Sequence, residues 1–198
     1  MRNRGLGFRN AVRALALVLA LRPAALFAAE PMPLRADLQI PLILKILTYD
    51  RHLESKAGAQ LMVGVVYAPT DVTSVAAANE VSDVLFRFQD KTVKRLPIRF
   101  RLVEYTTPEA LERTVERWGI SVFYVAPGSA RNLDGIKVIS QKRGVTTTTG
   151  VPDYVRRGLS VGLGLSDDRP QILVNQASAR AEGSEFDASL LRISVPVK

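Results

Sequence analysis

Leu61-Met62-Val63-Gly64-Val65-Val66-Tyr67 is a continuous apolar run, and its reading decides the fold. A strand with one wet face alternates apolar and polar residues, whereas an unbroken run marks a strand covered on both faces, as in the middle of a parallel sheet. Downstream, residues 75–88 carry Ala77, Val81, Val84, Leu85 and Phe88 at helical spacing. Ile98, Phe100 and Leu102 then alternate with Arg99 and Arg101, the pattern of a half-exposed strand. Thr107-Pro108 opens a further helix, with the threonine as cap and the proline in the first turn. Leu111, Val115 and Trp118 form its inward stripe, and Gly119 ends it. Residues 120–125 read as another buried strand, and 129–143 as a helix with Leu133, Ile136 and Val138 or Ile139 inward, stopped by Gly144. Strand and helix in alternation predict a single layered α/β domain with a largely parallel central sheet flanked by helices.

Upstream, Leu38, Leu42, Ile43, Ile46 and Leu47 predict a well-buried helix from Asp37, its N-cap, to about Leu53; Pro41 is tolerated near the first turn. The final third breaks the rhythm. Residues 145–149 predict a short strand, and 151–157 a helical turn. Residues 159–165 alternate large and small side chains, Ser166-Asp167-Asp168-Arg169-Pro170 forms a turn, and 171–174 return, which predicts an antiparallel hairpin near the C-terminus. Asn175 caps a short helix to about Glu182, Gly183 stops it, and residues 190–197 read as a last extended segment.

The chain has 198 residues, enough for one sizeable core, and no cysteine, which removes disulfides, zinc–thiolate sites and thiol nucleophiles. A single histidine, His52, excludes any site that needs two imidazoles. Arg2, Arg4, Arg9 and Arg13 precede the apolar run Ala14-Leu15-Ala16-Leu17-Val18-Leu19-Ala20-Leu21 and a small-residue stretch ending at Ala28-Ala29. That order is the secretory signal pattern, and the run is too short for a bilayer core of about 30 Å. The expected organisation is a signal peptide over 1–29, a short tether over 30–36 and an α/β domain over 37–198. An uncleaved amphipathic anchor is the competing reading of the leader. Without the leader, 22 basic residues face 19 acidic ones, so the net charge of +8 falls to +3 and no nucleic-acid partner is implied.

Several residues carry chemistry, each beside a plainer explanation. Gly162 and Gly164 lie inside a predicted strand rather than between a strand and a helix, so close backbone packing explains them better than phosphate binding. Asp167 and Asp168 lack a third acidic neighbour and read as turn formers, not cation ligands. Tyr49-Asp50-Arg51-His52 gathers four polar side chains at a helix end, with Ser55 close by, but residues within one turn do not converge on one substrate atom. Lys142-Arg143 and Arg156-Arg157 present either a basic rim around Thr146 to Thr149 or solvated helix ends. No catalytic, cofactor-binding or metal-binding residue is singled out, and no partner-binding residue is assigned.

The tail Val174-Asn175-Gln176-Ala177-Ser178-Ala179-Arg180-Ala181-Glu182-Gly183, followed by Phe186-Asp187-Ala188-Ser189-Leu190-Leu191-Arg192-Ile193, resembles the end of YfiR-like periplasmic proteins. Ile43-Leu44-Lys45-Ile46-Leu47-Thr48-Tyr49-Asp50 and the 61–67 run are similar to that family's first helix and strand. The resemblance covers about residues 36–195. It implies a periplasmic α/β regulator; its best-known members hold the sensor region of a membrane diguanylate cyclase inactive. The redox-responsive cysteines of some members are absent here, and Tyr49-Asp50-Arg51 replaces an aromatic-Trp-Pro. Asn175 and Arg192 match motif positions, explained equally well by a helix cap and a buried or pairing arginine.

The expected function is therefore a non-catalytic periplasmic regulator of a membrane-bound signalling partner such as a diguanylate cyclase or sensor kinase. No cofactor and no stable membrane insertion after signal removal are expected, and a homodimer remains compatible. The alternative is a single-lobe small-molecule binding protein with its ligand at the carboxyl ends of the parallel strands, beyond Val66, Val103 and Val125. A hydrolase built on His52 is the third reading.

Overall fold

The structure, a computed structural model, describes residues 32–198. The expected signal peptide lies outside the described residues; of the expected tether, Leu34 and Ala36 are buried. In chain order the elements are α1 (Ala36–Leu47), α2 (Leu53–Ala57), β1 (Leu61–Tyr67), α3 (Val72–Phe86), β2 (Thr92–Val93), β3 (Leu96–Glu104), α4 (Pro108–Trp118) and β4 (Val122–Val125). A 3-10 turn over Ala130–Asn132 leads into α5 (Leu133–Arg143), followed by β5 (Thr146–Thr149), α6 (Pro152–Arg156), β6 (Val161–Ser166), β7 (Arg169–Val174), α7 (Gln176–Ala181), α8 (Ala188–Ile193) and β8 (Val195–Pro196).

The sheet runs β2-β3-β1-β4-β5-β6-β7-β8, and β3, β1, β4, β5 and β6 are mutually parallel. The parallel centre, the covering helices and the antiparallel β6–β7 hairpin are those expected. Leu61, Val63 and Val65 of β1 pack in one cluster with α1, α3 and α8, whereas Met62 and Val66 pack in a second cluster with α4, α5 and Tyr154 of α6. The apolar run is apolar throughout because both faces of β1 are roofed.

Local caps set the boundaries. Asp71 accepts from Ser74 N at 2.8 Å and starts α3 before the predicted residue 75. Thr107 accepts from Ala110 N, and Gly119 and Gly144 close α4 and α5 at φ 62° and 66°, the left-handed region that favours glycine.

Three expectations are corrected. The first helix begins at Ala36 with Arg35 as a cap lacking a side-chain bond, and ends at Leu47 rather than Leu53. Residues 48–52 leave it because Asp50 forms an antiparallel bridge with Phe186, after which α2 resumes. Leu38 is 54% exposed and Val138 lies outside α5's buried face, which uses Ile139. The last segment is helix before it is strand: Asp187 Oδ1 accepts from Ser189 N at 2.9 Å and Ser189 Oγ at 2.8 Å, a cap that turns 188–193 into α8.

Candidate functional site

The Tyr49–His52 stretch and the tail, distant in sequence, meet at the amino edge of the sheet. Arg51 N donates to Glu185 O at 2.9 Å and Asp187 N to Tyr49 O at 2.9 Å, so the two segments pair as backbone. Asp50 Oδ1 accepts from the N–H groups of His52 and Glu185, both at 3.0 Å. Above this ladder, the Arg51 guanidinium forks between Glu185 Oε1 at 2.8 Å and Asp187 Oδ2 at 3.0 Å. Bonds from the Ser189 N–H and hydroxyl, reinforced by Arg51, hold the Asp187 carboxyl down at about 2. His52 Nδ1 lies 3.1 Å from Gly183 O, and because a carbonyl only accepts, that nitrogen carries the proton. Ser55 Oγ donates to the His52 backbone carbonyl at 2.8 Å, so serine and imidazole do not form a nucleophile–base pair.

Beneath the paired segments is a polar cluster that sequence reasoning missed. Lys56 Nζ donates to Thr146 Oγ1 and Ser184 Oγ, each at 2.6 Å, and to Glu182 O at 3.0 Å. Burial pushes the Lys56 ammonium below its ordinary pKa, opposed by the charges of Asp50 and Glu182. The Asp50 carboxylate stands 3.9 Å away; its Oδ2 is buried without a hydrogen-bond partner. On the other face of β5, the fully buried Glu182 accepts from Ser140 Oγ at 2.9 Å, Thr147 N at 2.8 Å, Thr147 Oγ1 at 2.8 Å and Ser160 Oγ. Burial raises the Glu182 pKa against the pull of those bonds. Two charged side chains thus grip the first residues of β5 from its two faces.

The one low-complexity stretch follows from this. Thr146 and Thr147 answer Lys56 and Glu182, while Thr148 and Thr149 hydroxyls donate to Phe123 O at 2.8 Å and Val125 O at 2.9 Å. Of the two readings of these cations, the basic rim around the threonines does not form: all four threonines are buried, and Lys142 and Arg143 reach away to Glu112 at 2.9 and 2.7 Å. Arg157 donates to Ala130 O at 2.7 Å.

The remaining candidates are architectural. A Cβ on Gly162 would lie 2.3 Å from Val155 Cγ2, so this glycine admits α6 against β6. Asp167 and Asp168 occupy the hairpin turn at φ 49° and 58°, the primed-turn geometry aspartate tolerates. Asn175 accepts from Ser178 N at 3.0 Å as the cap of α7. Arg192 is exposed, which removes the buried-arginine explanation. Among the described residues no three His, Asp or Glu side chains are grouped to hold a metal ion.

What the amino edge offers is a surface. An open groove of about 430 Å³ runs between the two segments, with Phe186, Ala188 and Leu191 as apolar lining and Arg51, His52, Arg180 and Glu185 as charged or polar lining. Part of its wall, the segment 182–185, is held by the buried cluster beneath, through the Lys56 bonds to Glu182 O and Ser184 Oγ and the Glu185 N–H bond to Asp50.

A family model described as YfiR/HmsC-like matches residues 43–195. Among curated proteins no sequence matches the chain. Of solved structures, a conserved domain protein from Vibrio cholerae is 15% identical with a TM-score of 0.61, covering 82% of this chain and 60% of its own. A Streptococcus pneumoniae ABC domain in complex with L-Trp is 10% identical with a TM-score of 0.58, covering 83% and 60%. A ligand-free, open substrate binding protein with adhesive properties from Clostridium difficile is 17% identical with a TM-score of 0.51, covering 74% and 57%. The chain spans about three fifths of the length of these structures, and at such identities the likeness is one of fold.

Proposed function

Because the chain belongs to the YfiR/HmsC-like family, we propose that it is a non-catalytic periplasmic protein that binds a membrane-bound signalling partner and biases it between active and inactive states. The partner is of the diguanylate-cyclase or sensor-kinase kind, and regulation follows from unequal affinity for its two states. The observation that carries this reading is the family match over 43–195. It is supported by the basic, apolar and small-residue order of the leader, which suits export, and by the groove where the two family-like stretches meet. A cysteine-free chain takes no thiol-based redox input.

The test is capture with the exported chain from detergent-solubilised membranes, followed by deletion of its gene. Enrichment of one membrane signalling protein, with a rise in that protein's output on deletion, is the expected result. An intracellular product with its N-terminus intact, or unchanged output on deletion, overturns the proposal.

The single-lobe binding reading is favoured by one observation, the fold likeness to the Streptococcus protein solved with L-Trp. It predicts that free amino acids, tryptophan first, raise the melting temperature. Against it, the loops beyond Val66 and Val125, where that ligand was expected, are filled by the chain's own groups: Ser129 N donates to Tyr154 OH at 2.8 Å and Asp71 lies against Gly128.

A further inference from the structure

Strand β3 is nine residues long, and its inner edge pairs with β1 along Ile98 to Glu104, but β2 covers its outer edge only at Leu96 and Pro97. Ile98 N reaches outward to Lys91 O, and Tyr105 N inward to Tyr67 O. Successive residues of a strand direct their N–H and C=O groups to opposite sides, so Phe100, Leu102 and Glu104 aim theirs away from the sheet. At the opposite end of the sheet β7 carries Pro170, which has no N–H, and is capped by β8 at Leu173 and Val174.

The side chains beside this edge separate by face. Phe100 and Leu102 lie on one face, the latter 42% exposed. Arg99 and Arg101 lie on the other, both exposed. Arg101 is held with its guanidinium 3.4 Å from the centre of the Trp118 ring, and Arg99 Nη1 donates to Ile98 O at 2.8 Å, so neither cation hangs free on a mobile stem. Residues 87–101 hold six basic residues and one acid, Asp90.

We propose that the edge of β3 left open among the described residues docks an extended segment of the partner in which acidic and apolar residues alternate. Acids opposite Arg99 and Arg101 and apolar side chains against Phe100 and Leu102 satisfy both faces at once, while the partner's backbone takes up the outward groups of Phe100, Leu102 and Glu104. A second copy of the chain is the wrong occupant, because two β3 edges in antiparallel register bring the arginines of one face opposite each other. This inference rests on the partner-binding reading above and gives it a surface and a chemistry.

The probe is a blocked, fluorescently labelled peptide of alternating Glu and Val, titrated into the full chain by polarisation. Saturable binding is expected. A peptide with Lys in place of Glu, and one N-methylated at alternate residues on the pairing side, should both fail. Arg101→Glu, an exposed change whose folding is checked by circular dichroism, should weaken binding about tenfold. Absence of binding to the acidic peptide, equal binding of the Lys or N-methylated peptide, no change in Arg101→Glu, or a dimer in sedimentation that Leu102→Pro dissociates overturns the proposal. Membrane capture separates it from its premise. If wild type and Arg101→Glu capture the partner equally, the edge is wrong and the regulator stands. If nothing is captured while the acidic peptide binds, the edge stands and the regulator falls.

Discussion

Replacing Glu182 by alanine removes one carboxylate that accepts from four donors: the hydroxyls of Ser140, Ser160 and Thr147 and the N–H of Thr147. All of these groups are buried, so none recovers a water. An orphaned buried donor costs about 1–3 kcal/mol, and the hydroxyls relieve part of this by rotating toward other acceptors while the amide cannot. The expected loss is about 4 kcal/mol, or roughly 8–16 °C in melting temperature for a domain of this size. Glutamine keeps the volume and one acceptor but turns an NH₂ toward donors, so Glu182→Gln should lose about half as much. The pH sign is separate. Burial raises the folded pKa above the ordinary 4.5. Between 4.5 and that raised value the native state holds more protons than the unfolded chain, so stability from this group falls as pH rises through the window. Glu182→Gln should remove that component of the slope. Urea unfolding followed by circular dichroism at several pH values measures both effects. A Glu182→Ala loss under about 1 kcal/mol at unchanged m-value would refute the claim that this carboxylate clamps β5.

Lys56→Met should cost about 3 kcal/mol in the same assay, because it strands the Asp50 charge and takes the Lys56 donor from Glu182 O, while the Thr146 and Ser184 hydroxyls keep their 2.7 Å bond to each other; a stabilised variant would show that the buried charges oppose folding. Asp187 has a folded pKa of about 2 against an ordinary 3.8, so its contribution, full above 3.8, is lost as pH falls toward 2. Ser189→Ala should move its carboxyl titration, read by NMR, back toward 3.8. Gly162→Ala should destabilise by about 1–3 kcal/mol through its clash with Val155 Cγ2; a neutral result would mean α6 yields freely.

The layers of the fold were legible because each rests on local signals. The 61–67 run, the Thr107-Pro108 start and the glycines at 119 and 144 depend on residues within a turn or two. What was missed depends on partners far along the chain. Helix α1 stops at Leu47 because Asp50 bridges Phe186, which no window around Asp50 contains. Leu190, Leu191 and Ile193 suit a strand as well as one short helical stripe, and the Asp187 cap decided between them. Lys56 and Glu182 look like ordinary surface charges at helix ends. A signal for them did exist: Thr146 and Thr147 sit in a strand where a doubly covered sheet otherwise places aliphatics, and buried hydroxyls require a buried polar partner.

The two edges of the sheet are built to different ends. At the carboxyl edge the turns after β1 and β3 close on themselves with neutral or capping contacts: Ser74 Oγ accepts from Ala68 N at 2.9 Å, and the Tyr105 hydroxyl fills the space over Gly135, where a Cβ would lie 1.9 Å from it. A pocket of about 310 Å³ opens only farther along, beyond β5 and β6. At the amino edge the chain accepts the cost of burying Lys56, Asp50 and Glu182, and the segment those charges hold down, 182–187, walls the open groove. A buried charge that loses its partner costs several kcal/mol, so the groove's backbone has one favoured arrangement and offers a rigid surface. Rigid surfaces bind with little ordering entropy to overcome, which suits the partner-binding role proposed above. If amide exchange at residues 183–187 proved as fast as at the hairpin tip around Asp167, that rigidity, and the division of labour between the edges, would be refuted.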